Sequence, residues 1–222
     1  TSSVQIYNLT YILLNMKKYD VIIIGAGPAG LTAGLYAVRN GLKTAIVSKD
    51  IGGTVKSILL IENWPGYSGT GPKLMKQFYD QLREYKGVDF IMEEVEEVDK
   101  KGDIFSIKTK KQTLESKSVI VTTGTERRKL NVPGEKELLG KGVSYCVTCD
   151  SFFFKGKTVA IVGGSDCAAI SALALTDVAK KVYVIYRGEK LRCEDINSKR
   201  LEVKKNVEFF YNSVPTKIKG EN

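Results

Sequence analysis

Apolar residues cluster in short β-branched runs separated by small-residue stretches of helical length. Tyr19-Asp20-Val21-Ile22-Ile23-Ile24 is a nearly continuous apolar run, which predicts a strand buried on both faces. Lys43–Val47, Val119–Val121, Lys157–Val162, Lys181–Tyr186 and Val207–Tyr211 read as further strands. Between them, Leu31–Arg39 predicts a helix ending at Asn40-Gly41, and Asp166–Val178 a second one. Pro72–Tyr85 is amphipathic with proline at its start, and Lys190–Lys205 reads as a charged helix. Val88–Ile107 alternates as short strands around a Lys101-Gly102-Asp103 turn. Strand, helix and strand recur twice, so the expectation is an α/β fold with two Rossmann-like dinucleotide-binding domains.

Glycine-rich turns fall where those units need them. Gly25-Ala26-Gly27-Pro28-Ala29-Gly30 follows the first strand and opens a helix. Glycines there permit a tight turn and a close backbone approach to a pyrophosphate, whose charge the helix N-terminus favours. Gly163-Gly164-Ser165-Asp166 stands at the same place in the second unit. The acid expected at the end of the second strand is absent, since that position reads Val47-Ser48-Lys49. Asp50 comes slightly later, before Gly52-Gly53, and is either a ribose contact or an ordinary loop acid. Ile61-Glu62-Asn63-Trp64-Pro65-Gly66 reads as a turn, and the strand at Val119 ends in Thr123-Gly124, suited to backing a cofactor. Leu130–Glu135 carries a Pro-Gly turn and reads as a linker. The expected division is an extension at 1–16, a first domain over 17–129 and a second over 130–222. The extension contains an Asn8-Leu9-Thr10 sequon, taken as chance, and its apolar run is too short for a signal peptide or membrane span.

Composition removes several classes of chemistry. No histidine is present, which excludes Ser-His-Asp and Cys-His nucleophiles and histidine metal sites. The charge of +9, from 34 Lys+Arg against 25 Asp+Glu, is scattered rather than gathered on a basic, aromatic-laced face, so nucleic acid is not the expected partner. Four cysteines are too few for a secreted disulfide scaffold, and a cytoplasmic setting is expected.

Cys146-Val147-Thr148-Cys149-Asp150 lies just before the second turn. A zinc site here would need Cys167 and Cys193 as partners, and their spacing is not that of a knuckle. An inert pair is the plain alternative. A redox pair is favoured: the short ring closes readily, the thiolate is the nucleophile in exchange, and Asp150 stands next to Cys149 to give or take a proton. Cys167 and Cys193 read as packing residues.

From about Lys17 to the C-terminus the chain resembles the low-molecular-weight, bacterial and archaeal type thioredoxin reductases. The resemblance is carried by Gly25–Ala33, Gly52-Gly53, Ile61–Gly66, Thr123-Gly124-Thr125 and Gly142–Asp150. It implies a three-layer ββα domain binding FAD and a smaller domain binding NADPH. FAD contacts would come from Gly25, Ala26, Gly27, Pro28, Ala29, Gly30, Asp50, Gly52, Gly53, Thr54, Asn63, Val95, Thr123 and Gly124. NADPH contacts would come from Gly163, Gly164, Ser165, Asp166, Arg187 and Arg192. By the same resemblance Cys146 attacks the disulfide of a thioredoxin-like protein, Cys149 sits nearest the flavin, Asp150 is the general acid, and the protein is a homodimer.

Three departures from the family pattern shape the expectations. The family continues well beyond this chain, so the FAD domain is expected to lack its C-terminal part. Ser165 stands where the family has glycine. The family's His-Arg-Arg phosphate clamp, with a further arginine four residues on, here reads Tyr186-Arg187-Gly188-Glu189-Lys190-Leu191-Arg192. Losing one arginine and gaining Glu189 predicts weak or altered nicotinamide use, and a ferredoxin-type donor is an alternative. The contrasting expectation is a non-catalytic, truncated nucleotide-binding protein.

Overall fold

The computed structural model describes residues 17–220. The extension and its sequon lie outside them. The chain divides into two compact units, with the break between Glu126 and Arg127.

In the first unit, β1 (Lys18–Ala26), α1 (Pro28–Arg39) and β2 (Thr44–Ile51) form the first βαβ unit. A hairpin of β3 (Ile61–Trp64) and β4 (Tyr67–Gly69) leads into α2 (Gly71–Arg83) and β5 (Val88–Ile91). A ribbon of β6 (Val95–Lys101), β7 (Ile104–Thr109) and β8 (Thr113–Val121) follows. The sheet order is β5-β2-β1-β8-β7-β6. The strands β5, β2, β1 and β8 run parallel, and β6, β7 and β8 antiparallel. β8 joins the two arrangements. Its first residues pair with β7, and from Glu115 onward it pairs with β1.

The continuous apolar run in β1 feeds two cores at once. Val21 and Ile23 face Leu31, Ile46, Leu74 and Leu82 on the helical side. Ile22 and Ile24 face Ala45, Val47, Ile107 and Leu114 on the ribbon side. Alternate residues thus separate three layers: helices, parallel strands and ribbon. At the strand's start, Asp20 accepts a hydrogen bond from Lys117 (2.8 Å) and one from the Lys43 amide (3.0 Å), which hold its carboxyl below the usual range.

The second unit contains α3 (Val147–Asp150), a 3₁₀ turn at Ser151–Phe154, β9 (Thr158–Val162), α4 (Asp166–Thr176), β10 (Lys181–Ile185), α5 (Asp195–Glu202) and β11 (Val207–Phe210). The three strands form a parallel sheet in the order β11-β10-β9. Ala169, Ala172 and Leu175 of α4 and Leu201 of α5 pack with Val182 and Val184 in its core. The fold class is α/β with two Rossmann-like units.

Several elements differ from expectation for identifiable reasons. Residues 61–66 form a hairpin rather than a lone turn, with Trp64 paired to Tyr67 around Gly66 at φ 82°. β8 begins at Thr113, well before the apolar run. Leu114 and Ser116 alternate inward there, and the buried Ser116 hydroxyl donates to the Ser118 carbonyl (2.6 Å). The expected helix over 190–205 is cut to Asp195–Glu202. Leu191 is buried and the Arg192 amide donates to the Gly164 carbonyl (2.7 Å), so tertiary contacts hold 190–194 out of the helix. Cys167 is exposed on α4 and not a packing residue, whereas Cys193 is half-buried against the second core.

Candidate functional site

At the carboxyl ends of β1, β2 and β8 three turns converge. The Gly52 amide donates to the Ala26 carbonyl (2.8 Å). The Thr122 hydroxyl donates to the carbonyls of Ile24 (2.9 Å) and Gly25 (3.0 Å). Gly25–Gly30, Gly52-Gly53 and the Thr123-Gly124 end of β8 therefore line one crevice, where ligands of parallel sheets bind. A side chain on Gly25 or Gly30 would strike neighbouring backbone, but the space above Gly27 is open. Gly27 is the N-cap of α1, with no side-chain cap and no acid in the first turn. Bare helix amides facing open space suit a phosphate. On these observations the crevice fits the pyrophosphate of a dinucleotide cofactor.

Other expected contacts have local partners. Asp50 sits within β2, where one carboxylate oxygen accepts from the Gly53 amide (3.3 Å) and the other pairs with Lys56 (2.7 Å). Its observed work is to hold the Gly52-Gly53 turn. Thr54 lies exposed in the 3₁₀ turn Gly53–Ser57. Asn63 is exposed on the β3–β4 hairpin. Val95 opens β6, half-buried against the ribbon-side core.

In the second unit Cys146 and Cys149 are joined as a disulfide, with Cα atoms 5.3 Å apart. Cys146 caps α3, and its sulfur accepts the Cys149 amide (3.3 Å). Cys146 is half-buried and Cys149 exposed. Ser144 donates to Asp150 Oδ2 (2.5 Å), and its hydroxyl oxygen accepts the Cys146 amide (3.0 Å). Behind the motif, the buried Glu135 accepts from the Tyr145 hydroxyl and from the amides of Leu130 (2.9 Å) and Asn131 (2.6 Å). Lys129 lies 4.0 Å over the Tyr145 ring.

The second glycine turn is less open. Asp166 accepts from the Glu194 amide (2.7 Å) and the Asn197 side chain (2.9 Å), so it is engaged in holding 194–197. It also places an acid in the first turn of α4. Tyr186 is buried against the turn: a Cβ on Gly164 would meet its ring at 2.6 Å, and one on Gly188 at 2.7 Å. Ser165 caps α4 without a side-chain bond, and Arg187, Glu189 and Arg192 are exposed. These residues fit a nicotinamide dinucleotide less well than the first crevice fits its cofactor. Cys193, pushed up by burial and then by Asp166, stays a protonated packing thiol. Among the described residues, no cluster of three Cys, Asp or Glu is gathered as a metal site.

Sequence reasoning missed three features. Ser144 lies inside the Gly142–Asp150 stretch that carries the resemblance, but its role, like that of Glu135, is found only through its bonds. Phe152 and Phe153, which follow Asp150 after Ser151, are 79% and 67% exposed, and an adjacent aromatic pair beside a dithiol was a signal available in the sequence.

The profile of the pyridine nucleotide-disulphide oxidoreductase family matches residues 19–222, and the chain belongs to that family. It is 38% identical over 208 residues to the thioredoxin reductase of Bacillus subtilis (strain 168), covering 93% of this chain and 66% of that one. With the thioredoxin reductase of Helicobacter pylori the identity is 40% over 207 residues, covering 91% and 66%. Among solved structures, Lactococcus lactis thioredoxin reductase in its FR conformation matches with TM-score 0.89 and 38% identity over 91% of this chain and 67% of its own. T. acidophilum thioredoxin reductase gives 0.87 and 37%, over 92% and 67%. The chain thus spans about two thirds of the length of these relatives.

Proposed function

We propose that this chain is the part of a flavin-dependent, thioredoxin-reductase-type disulfide oxidoreductase that carries its dithiol and its pyrophosphate crevice. The observation that carries the reading is the Cys146–Cys149 disulfide with Asp150 fixed beside it, in a chain whose other unit holds an open glycine crevice. Gly25–Gly30, Gly52, Gly53, Thr123 and Gly124 would hold FAD, which when bound supplies two-electron chemistry between a donor and the dithiol. Cys146 would attack the partner disulfide, Cys149 would resolve the mixed disulfide, and Asp150 would protonate the departing thiolate. The exposed Phe152 and Phe153 offer an apolar patch beside the disulfide for a thioredoxin-like partner. We place the protein in the cytoplasm as a homodimer. No described helix is long and apolar enough to cross a membrane.

A second reading concerns the donor. Tyr186 against the second turn, and Glu189 beside Arg187, favour a donor other than NADPH, such as a ferredoxin-type protein. The visible spectrum of the purified chain, followed by anaerobic titration with NADPH, NADH and dithionite, separates these possibilities. Flavin bands bleached by dithionite but barely by NADPH support the second reading, and full bleaching by NADPH refutes it. A colourless protein that also binds no added FAD overturns the flavoenzyme reading. Cys149→Ser is expected to keep any bound flavin and lose disulfide reduction, and retained turnover would sink the dithiol assignment.

A further inference from the structure

Ser144 makes two bonds that together tie the acid of the dithiol motif to its first cysteine. Its hydroxyl hydrogen goes to Asp150 Oδ2 at 2.5 Å, and its oxygen takes the Cys146 amide at 3.0 Å. One hydroxymethyl side chain therefore joins the acid at the end of the CxxC turn to the cysteine at its start. Both bonds brace, from just outside it, a helical turn already closed by the Cys149 and Asp150 amides on the Cys146 carbonyl (3.1 Å each). The bond restrains Oδ2 and leaves Oδ1 without a hydrogen bond to Ser144, so Oδ1 is the oxygen available to exchange a proton with a departing thiolate.

We infer that Ser144 is the positioning residue for Asp150. It sets the acid in place for the leaving sulfur of the substrate disulfide, and this inference rests on the dithiol reading above. The chemistry balances in two exchanges. The Cys146 thiolate attacks the substrate disulfide, a new S–S bond forms, the old one breaks, and the departing thiolate takes the proton from Asp150. The Cys149 thiol then gives its proton to the Asp150 carboxylate and, as thiolate, attacks Cys146 Sγ, closing the internal disulfide and releasing the second thiolate, which takes that proton from Asp150. Two cysteine thiols are oxidised by two electrons, and one disulfide is reduced to two thiols.

Protonation matters only for a basic leaving thiol, because a strongly acidic aromatic thiolate departs without help. The test compares two disulfides at one pH with the reduced 222-residue chain in a Cys167→Ala, Cys193→Ala background. These are 2-hydroxyethyl disulfide, with an ordinary alkyl leaving thiol, and 5,5′-dithiobis(2-nitrobenzoate), with an acidic one. Ser144→Ala is expected to lower the ratio of the first rate to the second about tenfold, a positioning share of the larger effect of a whole acid. Ser144→Thr, which keeps the hydroxyl, should restore the ratio. Asp150→Asn should lower it further, and the Ser144→Ala/Asp150→Asn double variant should fall no lower than Asp150→Asn alone. A merely structural role predicts that both disulfides slow by the same factor, and that result overturns the inference. An unchanged Ser144→Ala ratio beside a lowered Asp150→Asn ratio overturns it while sparing the dithiol reading. A wild-type dithiol that reacts with neither disulfide overturns both.

Discussion

At the scale of single residues, Gly27 and Gly30 lie three positions apart in the same turn and are constrained by different things. A Cβ on Gly30 would run into the Gly25 carbonyl and come within 2.8 Å of the Thr122 hydroxyl, so the fold itself requires glycine there. Nothing lies within 4 Å of a Cβ on Gly27, and its φ of −76° is open to any residue. Gly27→Ala is therefore expected to cost no more than about 1 kcal/mol, as for alanine at an N-cap. Gly30→Ala should cost about 1–3 kcal/mol, as overpacking does. Flavin retention should separate them the other way in one respect: Gly27→Ala loses FAD while its urea midpoint stays near wild type. If Gly27→Ala keeps its flavin, the crevice above that residue is not the phosphate site.

At the scale of elements, Glu135 organises the segment that leads into the dithiol. Its carboxylate takes two backbone amides and the Tyr145 hydroxyl in a nearly solvent-free position. Glu135→Gln keeps the volume but turns one acceptor into a donor facing an amide or hydroxyl donor. The expected loss is about 1–3 kcal/mol, the penalty for a buried unsatisfied group. Faster amide exchange confined to residues 127–145 would show it, and unchanged protection there would mean that the clamp is dispensable. These bonds also mark where the sequence stops being informative. β1 and β2 were legible because burial on both faces demands unbroken apolar runs, as at Val21–Ile24. The run at Val119–Val121, read as a buried strand, leaves Ile120 and Val121 exposed. The first half of β8 was not legible, because its inward positions include a serine satisfied by its own strand. Residues 190–194 were misread as helix, since their charge pattern suits one and the decisive bond, Arg192 to Gly164, spans the second unit. Ser144 and Glu135 belong to the same class. Their importance lies in which atoms face them, and no local pattern records that.

At the scale of the whole molecule, the two glycine turns differ in how much of each is left for a cofactor. The first turn leaves Gly27 open, with its acid, Asp50, tied to Lys56 and Gly53. The second is crowded by Tyr186, and Gly188 is part of that crowding. A Cβ there would meet Cε1 of the tyrosine ring at 2.7 Å and the hydroxyl oxygen at 3.2 Å. The missing arginine at 188 and the tyrosine at 186 are therefore one feature: while the ring occupies that space, a longer residue cannot be accommodated without displacing it. Gly188→Arg alone should leave NADPH-dependent flavin reduction within about twofold of wild type, because the guanidinium is gained at the cost of strain in the turn. Tyr186→His shortens the ring and clears the position. The Tyr186→His/Gly188→Arg double variant should then present a third guanidinium alongside Arg187 and Arg192 to a 2′-phosphate. It should raise the anaerobic rate with NADPH about tenfold, the worth of roughly one charge-assisted pair, and leave NADH unchanged. The diagnostic quantity is the coupling between the two substitutions. If their effects simply add, Tyr186 does not control position 188, and the expected weak nicotinamide use would rest on Ser165 or on Glu189 instead.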